Sequence, residues 1–399
     1  MKKRKKIIII LLLLSIVIFL VFFKVISSRY GFIPKSLFNQ DQIVYKTKEG
    51  DLLYGLQTIK NQTYYFDKET GIMQIGLINI EDNTYFFRED GTMIKGLYKI
   101  KDLYYYFDEE GKQVKNQFKK ITIDGQDQIS YFDTDGQMVT GKYKDKIFDE
   151  KGQLLIDEDY LLTKSQAIIN KYNGNVGLYF KDLRTQQEIS INDTTFYPCS
   201  IIKICVLVTV YDYINQGLLD LNSCQPYLEN MIINSDNTSY NALVTMLGNK
   251  NGLQGLQVVN SYMTKLGLKN TQLHHSLSPS NIHFSDNGSN ISCPSDIGLL
   301  FDLLYQRKII SQDTCDQMID LLKQCADNKA IRQGLHDSVQ FAHKSGWAYD
   351  LYLDGGIVYI PNNDYILVLF TDQISNKTAF FEEISNLFYT YETNLFTLE

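Results

Sequence analysis

Ser200 and Lys203, in Tyr197-Pro-Cys-Ser-Ile-Ile-Lys-Ile-Cys205, have the types and spacing of a nucleophile and its base. On a helix, residues three apart share a face, so the Lys203 amine is within reach of the Ser200 hydroxyl. A serine hydroxyl is a poor nucleophile until a neighbouring group takes its proton. Lysine, with a reference pKa of about 10.4, does so only when desolvated or placed beside other cations. The run Ile201 to Ile214 is apolar on nearly every side, which predicts a helix buried inside a domain. Ser200 is expected in its first turn, where unpaired backbone N–H groups and the helix dipole favour an alkoxide. A serine at a helix start is also an ordinary N-cap, so this pair needs partners elsewhere in the chain.

Two further short motifs follow in order, Ser235-Asp-Asn237 and Lys344-Ser-Gly346. A second S-D-N occurs at Ser285-Asp-Asn287, in a stretch rich in Gly, Asn and Ser. The first is preferred for its helix-bounded context, Met231 to Ala242. The three motifs together resemble the penicillin-recognising serine hydrolases, and S-D-N points to their class A β-lactamase-like branch. The resemblance covers 158–399 and implies an α+β fold, an antiparallel sheet flanked by helices plus a helical subdomain. It implies that Lys203 activates Ser200, that Ser235 relays a proton to the leaving nitrogen and that Asn237 holds the amide side chain of a substrate. Lys344 would supply positive charge and Ser345 a hydrogen bond to a substrate carboxylate. Gly346 completes the third motif, and the backbone N–H groups of Ser200 and Trp347 would form an oxyanion hole. No cofactor or metal is implied.

One part of that family's machinery is missing. Class A β-lactamases carry a glutamate between the second and third motifs, and it activates the water that frees the acyl-enzyme. Thr238 to Ser285 contains no Asp or Glu. The corresponding loop is expected at Leu273 to Asn281, with Asn281 in the place of the family's asparagine and Leu277 near the missing glutamate. His274, His275 or His283 could substitute, though loop histidines are more often simply solvated.

The local patterns agree with such a domain. Tyr160 to Tyr172 has helical spacing, and Asn175 to Leu183 with Gln187 to Ile191 reads as a hairpin. Helices are expected through 205–330. Phe341 to Lys344, Gly355 to Ile360 and Tyr365 to Thr371 read as strands, the last entered through Pro361-Asn-Asn-Asp364, and Thr378 to Tyr391 as a closing helix. All six cysteines lie between Cys199 and Cys325, with no C-x-x-C pair to suggest zinc. Buried free thiols and extracellular disulfides are both compatible with that spacing.

The first 157 residues are of another kind. Lys2 to Lys6 are all basic and form a short tail, 1–6; Ile7 to Phe23 is apolar but for Ser15. The stretch 7–26 is long enough to cross a bilayer, and the basic flank places the N-terminus in the cytoplasm and the rest outside. No alanine precedes Ala167, so an A-x-A cleavage site is missing and an uncleaved signal anchor is expected. A linker, 27–49, follows. Over 50–157 a pattern recurs about every twenty residues: Tyr64-Tyr-Phe-Asp67 with Gly71, Tyr85-Phe-Phe87 with Gly91, Tyr105-Tyr-Phe-Asp108 with Gly111, then Tyr131-Phe-Asp133 and Ile147-Phe-Asp149. An aromatic strand followed by a glycine turn describes stacked β-hairpins, none stable alone. The segment resembles the choline-binding and related cell-wall-binding repeats of Gram-positive surface proteins. Choline sites of that family use tryptophan cages, whereas the single tryptophan here, Trp347, lies outside the repeats. Tyrosine stacking on wall polysaccharide and a spacer that binds nothing are the two readings left. The net charge of −7 argues against nucleic acid as a partner. As a whole the chain reads as a membrane-anchored, outward-facing serine hydrolase acting on a β-lactam or related amide or ester. A peptidoglycan D,D-peptidase and a non-catalytic wall-binding scaffold are the alternatives.

Overall fold

The computed structural model describes Ser15, Val17, Ile18 and residues 30–36, 39–361 and 363–398. The expected anchor at 7–26 lies outside the described residues apart from those three. Among the described residues, no helix is long and apolar enough to cross a membrane. The chain forms two compact units, Met1–Gly141 with Phe148–Leu154, and Lys142–Ile147 with Leu155–Glu399.

The first unit is a series of antiparallel hairpins, among them Gly55–Ile59 with Gln62–Phe66, Gly76–Ile80 with Asn83–Phe87, and Gly96–Ile100 with Leu103–Phe107. Each second strand ends in a fully buried phenylalanine, Phe66, Phe87, Phe107 and later Phe132. The aromatic residue just before it reaches into the next copy: Tyr65 stacks on Phe87, and Phe86 and Tyr106 lie against Phe107 and Phe132. Backbone bonds repeat the same step, from Met73 N to Ile43 O, Met93 N to Thr63 O and Gln113 N to Thr84 O. The Asp of the Phe-Asp motif accepts backbone N–H groups from the turn that follows, as Asp108 does from Glu110 and Lys112. Gly91 closes such a turn at φ 80°, backbone that favours glycine, and a Cβ there would lie 2.2 Å from Met73 Sδ of the preceding copy and push that side chain aside. The expected linker at 27–49 is a correction: Gly31–Ser36 and Asn39–Lys46 form a further hairpin. Its Phe32 packs on Tyr45 and Tyr64, aromatic contacts that a motif search keyed on glycine spacing does not register.

In the second unit the strands β1 (Asn175–Asp182), β2 (Glu188–Ile191), β3 (Gln340–Ala348), β4 (Leu351–Tyr359) and β5 (Tyr365–Asp372) form one sheet in the order β2-β1-β5-β4-β3, every pair antiparallel. Strand periodicity sends Leu178, Phe180, Leu367 and Leu369 to one face, against helices α1 (Glu158–Tyr172) and α8 (Lys377–Thr393). Tyr179, Leu353, Val368 and Phe370 face the other way, onto a helical layer. That layer comprises α2 (Lys203–Asn215), α3 (Leu221–Ile233), α4 (Asn237–Leu247), α5 (Gly252–Leu266), α6 (Pro294–Tyr305) and α7 (Gln312–Leu322). Helix α2 is buried from Lys203 to Tyr211, as its all-round apolar sequence requires. The strands expected at 341–344 and 355–360 are longer than the sequence suggested and join through the two-residue turn Tyr349–Asp350. All six cysteines are buried free thiols.

Candidate active site

Ser200 belongs to a short 3₁₀ turn, Cys199–Ile202, that runs directly into α2. This corrects the expectation of a nucleophile in the first α-helical turn; the tighter turn still leaves Lys203 Nζ 2.9 Å from Ser200 Oγ. Two residues at the site hold left-handed backbone, Cys199 at φ 48° and Ser235 at φ 55°. Such conformations are costly for non-glycine residues and persist where surrounding structure enforces them.

Three oxygen atoms lie within 2.9 Å of the Lys203 amine. Its Nζ lies 2.6 Å from the Ser235 carbonyl oxygen and 2.7 Å from Asn237 Oδ1. The Asn237 amide is oriented by its own Nδ2, which donates to Ser278 O at 2.7 Å. An ammonium would donate to all three oxygens, whereas a neutral amine gives its two N–H groups to the two pure acceptors and keeps its lone pair for the Ser200 O–H. Burial, and after it the charge of Lys344, pushes the Lys203 pKa down to about 6, which favours the neutral form at pH 7. Ser235 Oγ stands between the two cations' positions, 3.2 Å from Lys203 Nζ and 3.1 Å from Lys344 Nζ, a bridge along which a proton can pass. Lys344 is fully buried and also donates to the Ser345 carbonyl. Asp236 caps α4 through Ser239 N at 2.6 Å and faces Lys203 only as a nearby negative charge.

Strand β3 is the sheet edge that closes the site. Because the two-residue turn closes on the hydrogen-bonded pair Ala348–Leu351, Gly346 and Lys344 also bond β4. Ser345 and Trp347 therefore turn their N–H and C=O groups to the open edge. A Cβ on Gly346 would sit 2.6 Å from Ser200 N and 2.8 Å from Ile201 N. Glycine thus lets the edge carrying the Trp347 N–H come against the turn carrying the Ser200 N–H, the two donors assigned to an oxyanion hole. The Trp347 side chain is 68% exposed.

Two of the expected site residues also have partners within the protein. Asn237 accepts from Lys203 through Oδ1 and gives one Nδ2 hydrogen to Ser278 O, so it braces Lys203 against the 273–281 loop. The Ser345 hydroxyl donates to Asp327 Oδ2 at 2.8 Å, and the Tyr352 hydroxyl donates to the same carboxylate. Asp327 was not singled out from the sequence, since a lone acid in a polar stretch carries no local signal. Asn281 is exposed, and the loop is instead held by Asn241, whose amide donates to Leu277 O and Ile282 O and accepts from Leu277 N. Asn241 lies one turn beyond Asn237 on α4, a spacing that could have revealed it. We expect Asn241→Ala to leave those buried loop groups unpaired and to cost about 1–3 kcal/mol, read as a lower midpoint in urea unfolding. Leu277 itself is buried, where the family's glutamate was expected. His274 is tied to Asp286 of the second S-D-N at 3.0 Å, and His275 stacks on Tyr197. Among the described residues, no cluster of His, Cys, Asp or Glu is arranged to hold a metal.

Comparison with known proteins agrees with this geometry. Residues 161–228 and 223–391 match the model of the beta-lactamase enzyme family. Residues 74–118 and 95–143 match the choline-binding repeat, and 55–73 a cell wall binding repeat. No curated protein matches the chain. Among solved structures, a PBP-A variant in acyl-enzyme complex with penicillin G is 23% identical, covering 59% of this chain and 98% of its own, with a TM-score of 0.51. Beta-lactamases from Xanthomonas campestris pv. campestris and Chitinophaga pinensis are 16% and 18% identical, each aligned over 58% of this chain. The alignments span 97% and 98% of those chains, with TM-scores of 0.52 and 0.51.

Proposed function

The chain belongs to the beta-lactamase enzyme family, and from that premise we propose that it works through a Ser200 acyl-enzyme formed on a β-lactam or on a related amide or ester of the cell wall. The observation that carries this reading is the Lys203 amine, buried 2.9 Å from Ser200 Oγ and braced by the Ser235 carbonyl and Asn237 Oδ1, in a setting that pushes its pKa down to about 6. Lys203 takes the Ser200 proton as the oxygen attacks the acyl carbon. The Ser200 and Trp347 N–H groups receive the developing oxyanion, and Ser235, between Lys203 and Lys344, passes the proton to the leaving nitrogen.

The acyl-enzyme is resolved slowly. The loop that carries the family's water-activating glutamate holds no carboxylate here, and the buried Leu277 stands near its place. A misplaced or missing general base costs roughly 10² to 10⁴ in rate. This favours a penicillin-binding, peptidase-like role over antibiotic destruction. The cell-wall-binding repeats hold the enzyme at wall polymer, and the apolar stretch at 7–26 anchors it in the membrane with both units outside.

Intact-mass spectrometry of the chain mixed with penicillin G tests the reading. A one-to-one adduct that persists for hours, and that Ser200→Ala lacks, is the expected result. Rapid loss of penicillin with no lasting adduct would instead mean an efficient hydrolase, and an adduct retained by Ser200→Ala would remove Ser200 as the nucleophile.

A further inference from the structure

The hydroxyl that the third motif offers to a substrate is already engaged by an acid. Ser345 and Trp347 share one face of β3, and Tyr352 stands directly across from Trp347 on β4, so its side chain joins them. The segment between α7 and β3 brings Asp327 into this group. Its carboxylate accepts the Ser345 hydroxyl at 2.8 Å, the Tyr352 hydroxyl at 2.9 and 3.0 Å, and the Lys329 backbone N–H at 3.3 Å. All these donors are neutral, so none of them cancels the charge of a carboxylate. A serine hydroxyl has one hydrogen, and here it is given to Asp327, which leaves Ser345 Oγ with lone pairs alone to offer. Ser345 is buried and Asp327 half-buried, so a group that arrives along the open edge of β3 meets the acid as well as the hydroxyl. Asp354, opposite Ser345 in the register, is a second acid, but His343 Nδ1 holds it at 2.8 Å. Arg332, on the same connecting segment, is committed to the Val339 and Asp337 carbonyls. Burial lowers the pKa of Lys344, and Asp327 is among the acids whose charge acts on it in the opposite sense. The positive charge expected to draw in a substrate carboxylate therefore has a negative one beside it.

We propose that Asp327 sets the specificity of the Ser200 site: it turns away an acyl donor whose leaving group ends in a carboxylate and takes one that ends in an N–H donor, a carboxamide or an amine. This names the substrate class of the acyl-enzyme reading and rests on it. A carboxylate at Ser345 sets acceptor against acceptor and like charge against like charge, the kind of repulsion by which specific sites reject a wrong partner. A carboxamide reverses both effects. Its N–H groups meet the Ser345 lone pairs and the Asp327 carboxylate, and it brings no charge of its own. The chemical step is unchanged. With an acyl-amino-acid amide, the bond from Ser200 Oγ to the acyl carbon forms and the C–N bond breaks. The Ser200 proton passes by Lys203 and Ser235 to the departing nitrogen, and an amino-acid amide leaves. Asp327 meets the end of the leaving group remote from that bond, so it selects the substrate without serving as acid or base.

The test compares penicillin G with its carboxamide, two compounds that differ only at that carboxylate. Intact-mass spectrometry follows the rate at which each acylates the full chain, and each rate is divided by the same compound's rate with hydroxide to remove the difference in ring reactivity. The parent should favour the carboxamide by about 10- to 10²-fold. Asp327→Asn keeps an acceptor for the Ser345 and Tyr352 hydroxyls and removes the charge. It should lose the preference, through a gain of about tenfold with penicillin G. Tyr352→Phe removes a hydroxyl from the same carboxylate but leaves its charge, so it should keep the parent's preference; this separates selection by charge from support of the local structure. A parent that favours penicillin G, or an equal ratio in the parent and Asp327→Asn, would overturn the proposal. Should Asp327→Asn fail to fold, the ratio in the parent still decides it. Acylation by neither compound would refute the acyl-enzyme reading and this proposal with it, whereas acylation by both at equal corrected rates would refute the proposal alone.

Discussion

Replacing Lys203 by Met is expected to slow acylation of Ser200 by about 10² to 10⁴, because the substitution keeps the length of a buried side chain and removes the base, together with its bonds to Ser235 O and Asn237 Oδ1. The pH profile makes the result specific. In the parent, Lys203 is driven down to about 6 by burial and then by the charge of Lys344. Below that pH the amine is protonated and cannot accept the Ser200 proton; above it the amine is neutral and can. Acylation should therefore climb as pH rises through about 6 and then level off, whereas an unperturbed lysine would place the climb near 10.4. Stopped-flow acylation with a chromogenic β-lactam from pH 5 to 9 reads both effects. A parent profile flat through pH 6, or a Lys203→Met variant that acylates at the parent rate, would assign the base elsewhere.

Gly346→Ala is expected to be nearly as damaging although it adds only a methyl group. That methyl would stand 2.6 Å from Ser200 N and 2.8 Å from Ile201 N, against backbone that cannot swing aside like a flexible side chain. The edge of β3 must retreat, taking the Trp347 N–H away from the Ser200 N–H. Loss of one oxyanion donor costs about 10² to 10³ in the rate of the chemical step. Thermal unfolding should move little by comparison, since the strand keeps its bonds to β4 along the whole register. Parent-like acylation in Gly346→Ala would mean that the oxyanion is held elsewhere.

Much of this architecture was legible because it is written in short-range patterns. The hairpin repeats declare themselves through one buried phenylalanine and one positive-φ turn glycine per copy. The burial of α2 follows from an apolar run with no polar face. Ser200 and Lys203 are three residues apart, so their meeting is a property of one turn of backbone. The linker at 27–49 was misread for the converse reason: its hairpin is specified by Phe32 meeting Tyr64, a contact between copies and not a local motif.

What the sequence alone determined, then, is the set of chemical parts and their order: a serine, an amine, a relay serine, a second amine, and a loop without a carboxylate. The tertiary structure decided how those parts behave, since pKa, proton direction and hydrogen-bond commitment depend on groups far apart in the chain. Lys203 is pushed down to about 6 because the fold buries it and brings Lys344 beside it. Asn237 braces Lys203 because Ser278 O takes one of its amide hydrogens, and Ser345 is engaged because Asp327 returns to it from eighteen residues away. Electrostatics and desolvation act through space, so no reading of local spacing reaches them.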